Sequence, residues 1–246
     1  MTYTPFHIFG AERPARWLIT CDHASNVVPD AVNGATLGLP DADMARHIAY
    51  DPGAAGVSIA LAEMLDAPAI LGNFSRLVID PNRGEDDPTV LMKLYDGTII
   101  PANRSADAHE RERRLAAYHR PYHTALEQMA ARQDGTIYVA MHSYTKQLRG
   151  REERPWHIGI LYGEDARFAV PLIRRLERES DLCVGENEPY GGHLEGDAVD
   201  RHAIGPGRVN VLIEIRNDLI ETDQQQTEWA ARLAPILQEV LRETEL

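Results

Sequence analysis

The stretch IYVAMHS, residues 137–143, is an apolar run of strand length that ends in a histidine and a serine. RWLITCDH at 16–23 has the same form and also ends in a histidine, and VNVLIEI at 209–215 carries Glu214 near its end. Short apolar runs of this kind alternate along the chain with longer segments of helical period, which is typical of an α/β sheet covered by helices. Because ligands bind at the carboxyl edge of such sheets, we expect the two histidines and the glutamate to converge there.

Apolar runs and helical periods predict the remaining elements in the same way. The predicted strands are 17–21, 68–71, 77–79, 137–141, 158–162 and 209–215. The predicted helices are 41–49, 53–65, 108–133, 165–179 and 225–243. Two segments, 84–107 and 186–208, fit neither class, and long loops in a compact domain are usually functional, so we predict that they form walls of an active site.

Composition indicates one globular domain over residues 1–246. Hydrophobic residues make up 43% and charged residues 26% of the 246, and no shift in composition marks a second domain. The formal charge of −13 disfavours nucleic acid as a partner. Cys21 and Cys183 are too few for a disulfide framework or a cysteine zinc motif. The N-terminus has no signal-peptide pattern, and no apolar run approaches the roughly 20 residues of a membrane span, so we expect a cytoplasmic protein of undetermined oligomeric state.

His23, His142 and Glu214 are the strongest candidates for chemistry. Two imidazoles and a carboxylate at one sheet edge favour a metal-activated water with a carboxylate base. Taken singly, a histidine at a strand end is more often a hydrogen-bonded structural residue. Glu214 is costly to bury unless it is used or paired, and the alternative for it is a salt bridge to Arg76 or Arg216.

Asn82 and Arg83 follow another apolar run in SRLVIDPNR, residues 75–83. The planar guanidinium suits a substrate carboxylate, which it can bind through two parallel hydrogen bonds. Asp-Pro-Asn is also strong turn chemistry, and spacing alone favours that interpretation.

His119 and His123 stand four residues apart, so one helical face presents both and could bind a metal. The HExxH pattern is absent, and Tyr118 and Tyr122 beside them indicate a packing face. We therefore interpret this pair as packing residues.

Six segments, in order and across most of the chain, together resemble the N-formylglutamate amidohydrolase family. They are CDHASNVVP at 21–29, YDPGAAGVSIALA at 50–62, SRLVIDPNR at 75–83, MHSYT at 141–145, ENEPYGG at 186–192 and VLIEIRNDLI at 211–220. The family is similar in fold to zinc exopeptidases of the carboxypeptidase group and to aspartoacylase. The resemblance implies a phosphorylase/hydrolase-like, three-layer α/β/α domain with a mixed, mostly parallel sheet and one catalytic zinc per chain.

The resemblance also implies roles for individual residues. It implies His23 and His142 as the imidazole ligands of the metal and Glu214 as the general base. Arg76 resembles the arginine that polarises the scissile carbonyl. The implied substrate contacts are Asn82, Arg83, Ser143 and Arg216.

The third metal ligand is open at this point. The exopeptidase relatives place a glutamate three residues after the first histidine, and here that position is Asn26, a poor anionic ligand. Asp51 in the YDPGA segment is the alternative. Asp51 is followed by proline and glycine ahead of a helical run, so it is equally well interpreted as a helix N-cap.

The resemblance implies hydrolysis of a small N-formyl or N-acyl amino acid, similar to N-formylglutamate. Two alternatives remain. One keeps the metal but acts on short peptides or other acylated amines. The other is a metal-free binding protein that retains the pocket without the reaction, and the asparagine at position 26 is the feature that supports it.

Overall fold

A computed structural model describes residues 3–192 and 194–246, and a seven-stranded sheet forms its centre. A two-stranded hairpin lies apart from that sheet. The strands are β1 (Phe6–Phe9), β2 (Trp17–Cys21), β3 (Ala69–Gly72), the hairpin pair β4 (Leu94–Tyr95) and β5 (Thr98–Ile99), β6 (Ile137–Tyr144), β7 (Ile158–Leu161), β8 (Val184–Glu186) and β9 (Asn210–Arg216).

The sheet has the order β1-β3-β2-β6-β9-β7-β8. Strands β3, β2, β6 and β9 run parallel to one another, whereas β1 is antiparallel to β3 and β7 is antiparallel to β9. The predicted mixed, mostly parallel sheet is therefore confirmed. Since β2, β6 and β9 are adjacent and parallel, their carboxyl ends form one continuous edge.

Helices cover both faces of the sheet. They are α1 (Asp41–Met44), α2 (Ala54–Met64), α3 (Pro101–Arg104), α4 (Ala108–Arg114), α5 (Arg120–Ala130), α6 (Ala169–Leu176) and α7 (Asp223–Thr244). Short π-helical segments span Leu115–His119 and Asp200–Ile204, and a 3-10 turn spans Asn217–Leu219. Within the two described ranges, none of these helices combines the length and the apolar content that crossing a membrane requires.

Two buried apolar clusters, one on each face, complete the three layers. Side chains alternate across a strand, so neighbours such as Tyr138 and Val139 on β6 point to opposite clusters. Helices α2, α6 and α7 pack on the Val139 face, while Tyr122 and Leu126 of α5 pack on the other. Burial on both faces explains why the central strands are continuous apolar runs in the sequence.

Several predicted elements differ from the observed ones. Residues 77–79 are fully buried but form a turn rather than a strand, because three apolar residues can be buried by packing alone. The helix predicted at 41–49 stops at Met44. Strand β1 was not predicted because it lies at the sheet edge with mostly exposed side chains. Strand β8 has only three residues, too few for a periodic pattern.

Candidate metal centre and active site

His23, Asp51 and His142 bring one ligand atom each to within 4.8 Å of one another, and all three residues are buried. His23 follows β2, whereas His142 lies inside β6, which extends three residues beyond its predicted end. Asp51 Oδ2 lies 2.8 Å from His142 Nδ1 and 3.4 Å from His23 Nδ1. We refer to these three residues as the His–Asp–His cluster.

The other ring nitrogen of each histidine faces a second carboxylate. His23 Nε2 lies 2.7 Å from Asp80 Oδ1, and His142 Nε2 lies 3.3 Å from Asp22 Oδ2. The contact to Asp22 has the distance of an ion pair but not the angles of a hydrogen bond. Metal-binding histidines characteristically donate their second N–H to a carboxylate, which orients the ring and fixes its tautomer, and Asp80 is in place to accept from His23 in this way. Both Nδ1 atoms are thereby left directed at Asp51.

Charges around the cluster favour a bound cation. Burial opposes ionisation of Asp51, but His23 and His142 outweigh it and hold the pKa of that carboxyl below its usual range. Burial alone would lower the pKa of His142, yet Asp22 and Asp51 raise it well above the usual value. Buried carboxylates that crowd two imidazoles stabilise positive charge, and a divalent ion bound there would supply it. The residues present therefore fit a metal site.

The geometry distinguishes the two candidates for the third ligand. Helix α2 begins at Ala54 with Gly53 as its N-cap, and no side chain caps it, so Asp51 is not an N-cap. Asn26 instead donates from Nδ2 to the carbonyl oxygen of Met44, 2.9 Å away, and does not line the cavity. The structure thus brings Asp51 to the imidazoles and leaves Asn26 outside the site.

Glu214 stands beside His142 in the register of β9 and β6. On its other side, β7 places Gly159 opposite, and glycine has no side chain to pair with the carboxylate. Glu214 Oε2 is buried and has no hydrogen-bond partner among the described residues. Burial raises the pKa of Glu214 to about 7. The salt-bridge alternative is wrong for the described part of the chain, since Arg76 pairs with Asp80 and Asp51 and Arg216 pairs with Asp218.

A cavity of about 310 Å³ opens over the cluster. Its lining includes the His–Asp–His cluster and Glu214, together with Arg76, Asn82, Arg83 and Ser143. The two segments without predicted structure supply much of the remaining wall, as expected. Tyr95 comes from the first of them, and Tyr190, Gly191, Leu194 and Asp197 come from the second.

The arginines at the cavity differ in how firmly they are held. Arg76 donates to Asp80 Oδ2 from Nη2 at 2.8 Å, and its Nη1 lies 3.6 Å from Asp51 Oδ1. Arg83 is partly exposed and donates to Thr89 Oγ1 and to the carbonyl oxygen of Asn82. Arg76 is therefore a fixed charge beside the cluster, whereas the hydrogen bonds that the Arg83 guanidinium donates to described residues go to neutral groups nearby in sequence.

Two further residues were expected to contact substrate, and only one lines the cavity. Ser143 does, although its hydroxyl donates to the Pro52 carbonyl and its backbone N–H to Asp51 Oδ2. Arg216 is not part of the lining. Its guanidinium pairs with Asp218 and donates to the carbonyl oxygens of residues 154–156. The structure does not bring Arg216 into the site, because these backbone acceptors hold its side chain elsewhere.

Sequence analysis missed three acidic residues at the site. Asp22 and Asp80 stand behind the two histidines, and each directly follows a strongly apolar run in a segment already singled out, which was an available signal. Asp197 lines the cavity, and burial raises its pKa to about 6. Its segment carries no pattern from which its position could have been predicted.

The family match and the named sequence relatives indicate one family. The N-formylglutamate amidohydrolase family matches residues 15–221. An N-formylglutamate deformylase of Pseudomonas aeruginosa is 27% identical over 249 residues, covering 92% of this chain and 90% of that protein. The crystal structure of a gene product from Agrobacterium tumefaciens superposes with a TM-score of 0.93 at 32% identity, covering 100% of this chain and 98% of the other. An N-formylglutamate amidohydrolase from Ralstonia eutropha, 21% identical, has a TM-score of 0.63 over 98% of this chain and 97% of its own, which supports the fold.

Proposed function

Since the chain belongs to the N-formylglutamate amidohydrolase family and is an amidohydrolase, we propose that it cleaves the amide bond of a small N-formyl or N-acyl amino acid by metal-dependent hydrolysis. N-formylglutamate is the reference substrate, because the curated relatives are named for its deformylation. One observation carries the proposal. The His–Asp–His cluster lies next to Glu214, whose buried Oε2 has no hydrogen-bond partner among the described residues, and both face a cavity that arginines also line.

One zinc ion per chain is the proposed cofactor. Nδ1 of His23, Nδ1 of His142 and the Asp51 carboxylate would hold it, a donor set that suits zinc. When bound, such an ion supplies a Lewis acid that activates water and polarises an amide carbonyl. Asp80 and Asp22 orient the imidazoles, and the backbone N–H of Ser143 orients Asp51.

Glu214 is the proposed general base. A base is most effective when its pKa lies near the working pH, and burial raises the pKa of Glu214 to about 7. Its free oxygen accepts a proton from the attacking water and delivers that proton to the leaving nitrogen. Glu214 lines the cavity next to the His–Asp–His cluster, where a substrate amide would lie.

Arg76, Asn82 and Arg83 are the proposed substrate contacts. Arg76 stabilises negative charge that develops on the amide oxygen, and its pairing with Asp80 holds it in place before the reaction begins. Arg83 and Asn82 line the cavity and bind the substrate carboxylate. Ser143 acts through Asp51, and Arg216 is left out of the proposed site.

Metal analysis and chelation test the cofactor. The purified protein should contain about one zinc per chain, and its hydrolase activity should disappear on exhaustive chelation and return when zinc is added back. Full activity after removal of all metal would contradict the mechanism. The metal-free binding protein is already weakened as an alternative, because Asn26, which supported it, lies outside the site.

A substrate panel tests the carboxylate clamp. N-formyl amino acids should be cleaved and their C-terminal amides should not, because a neutral amide cannot form the charge-assisted, two-pronged contact with the Arg83 guanidinium. Arg83→Lys should damage turnover of the carboxylate substrate, since an ammonium cannot form the two-pronged contact. Arg216→Lys is the matched control outside the cavity. Equal rates on an N-formyl amino acid and its amide would remove Arg83 from the site, and preference for dipeptides would support the exopeptidase-like alternative.

A further inference from the structure

Three buried histidines outside the cavity form a second cluster. His119 and His123 lie one turn apart with ring centroids 4.3 Å from each other, and His202 stacks on His123 with centroids 5.1 Å apart. None of the three lines the cavity. We call them the support cluster.

The support cluster donates to two carbonyl groups of the segment that carries Asn82 and Arg83. His123 Nε2 lies 2.9 Å from the Pro81 oxygen, and His119 Nε2 lies 2.9 Å from the Arg83 oxygen. A carbonyl oxygen can only accept, so both imidazoles carry their proton on Nε2. The two contacted carbonyls stand on either side of Asn82.

His202 completes a directed chain of hydrogen bonds. Its Nε2 lies 2.8 Å from His123 Nδ1. Burial lowers the pKa of His123 well below the usual value and that of His202 to about 4, so both rings are neutral. Because His123 already donates from Nε2, its Nδ1 accepts, and His202 is the donor. His202 thus fixes the tautomer with which His123 holds Pro81.

The same segment is held from two further directions. The backbone N–H of Ala198 donates to Asn82 Oδ1, and the backbone N–H of Asn82 donates to Asp80 Oδ1. Ala198 and His202 come from one wall segment, while His119 and His123 come from the α4–α5 helix. Residues 80–83 are therefore held on one side by the helix that carries His119 and His123 and on the other by the wall segment 186–208.

Local helix geometry supports a dedicated arrangement. His119 is the last residue of one π-helical segment, and His202 lies inside the other. π-helical turns are rare and are found disproportionately at functional sites. Here both of them carry donors of the same cluster.

We infer that His119, His123 and His202 are positioning residues, which set Asn82 and Arg83 at the cavity wall by fixing the carbonyl groups on either side of Asn82. The inference rests on the proposed role of Asn82 and Arg83 in binding the substrate carboxylate. A merely structural cluster would affect stability alone. A positioning cluster also affects KM for carboxylate substrates, because a small displacement of a substrate-binding group weakens its contact with the substrate by a large factor.

Kinetics of His123→Met test the inference, with His123→Gln as the matched variant that retains an amide donor. His123→Met should raise KM for an N-formyl amino acid about 10-fold or more with kcat much less affected, and His123→Gln should recover most of the loss. In an Arg83→Ala background, His123→Met should have little further effect, because the two changes act through one contact. Unchanged KM, or full additivity with Arg83→Ala, would overturn the inference.

Two more measurements keep the outcome decisive. His119→Met is the second variant, for use if His123→Met does not fold. It removes the hydrogen bond from His119 to the Arg83 carbonyl oxygen and should also raise KM. Hydrogen exchange at the amides of Asp80, Asn82 and Arg83 should be faster in these variants while β2 and β6 are unaffected, and unchanged exchange would overturn the inference even without turnover. If Arg83→Ala itself leaves KM unchanged, the proposed clamp fails. If Arg83→Ala raises KM and the histidine variants do not, this inference fails alone.

Discussion

The two histidine clusters are alike in burial and in close ring contact, but they differ in what surrounds them. Around His23 and His142 stand Asp22, Asp51 and Asp80, whose charges favour a cation at the imidazoles. Around the support cluster the partners are carbonyl oxygens and other rings, and burial keeps those imidazoles neutral. The group that contacts the ring nitrogens of a buried histidine therefore determines whether the imidazole favours a nearby cation or acts as a neutral hydrogen-bond donor. Carboxylates create a cation site, and carbonyl groups create a fixed donor.

The largest effect should come from removing an imidazole of the first cluster. His142→Ala should lose the bound metal and reduce turnover by about 10³-fold or more, since metal activation contributes several kcal/mol. His202→Ala, which also removes a buried imidazole, should keep its metal. Metal content per chain and kcat/KM measured on both variants check the contrast. Full metal occupancy in His142→Ala would break the distinction between the clusters.

The next largest effect concerns the carboxylate beside the first cluster. Glu214→Gln keeps the size of the side chain but cannot accept a proton, so turnover should fall by roughly 10²- to 10⁴-fold while metal content stays the same. Steady-state kinetics with metal analysis separate the roles. Loss of metal in Glu214→Gln would make Glu214 a ligand rather than a base.

A smaller effect should come from the carboxylate behind His142. Asp22→Asn keeps the hydrogen bond from the Tyr122 hydroxyl, 2.6 Å long, but removes the charge that faces His142. Metal affinity should fall about 10- to 100-fold, the usual cost of losing an outer carboxylate. Competition with a chelator measures it, and Tyr122→Phe is the control that leaves the charge in place. Unaltered affinity in Asp22→Asn would show that this carboxylate does not tune the site.

The last prediction concerns the free energy of unfolding, which should change when a histidine of the support cluster is titrated. His202 has a folded pKa of about 4, below the ordinary 6.5, so protonation favours the unfolded chain. The stability contributed by neutral His202 is complete above pH 6.5 and is lost as the pH falls towards 4. Between pH 7 and 4.5 the wild type should lose about 2 kcal/mol more than His202→Gln in urea unfolding. Parallel losses in the two proteins would mean that His202 is not held neutral.

The fold was predictable where the sequence reports burial directly. Strand β2 was predicted with its observed limits, because a strand buried on both faces is a continuous apolar run. The same signal misled at residues 77–79, where a buried turn is equally apolar. A run of three apolar residues is too short to show a period, so its sequence cannot distinguish a buried strand from a buried turn.

The site was predictable to the extent that topology alone determines it. His23, His142 and Glu214 follow from strands that share one carboxyl edge, and their proximity needs no detail of side-chain packing. Asp51 remained open because an N-cap and a ligand use the same carboxylate in the same sequence context. Arg216 was misplaced because its acceptors come from residues 154–156, far away in sequence. Long-range backbone partners of this kind leave no local pattern.

The π-helical segment Leu115–His119 constrains which length changes the helix can tolerate. Such a segment accommodates one residue more than an α-helix in the same rise, so the residues before and after it keep their places on the helix surface. Deleting one residue inside it would therefore restore a regular α-helix and leave the part that follows facing as before, whereas deleting one residue of α5 ahead of His123 would rotate the part that follows by about 100° relative to the part before. In the second case His123 would turn away from the Pro81 carbonyl while every residue of the His–Asp–His cluster is retained. A single missing residue in α5 would thus leave His23, Asp51 and His142 in place and still remove the hydrogen bond from His123 to the Pro81 carbonyl.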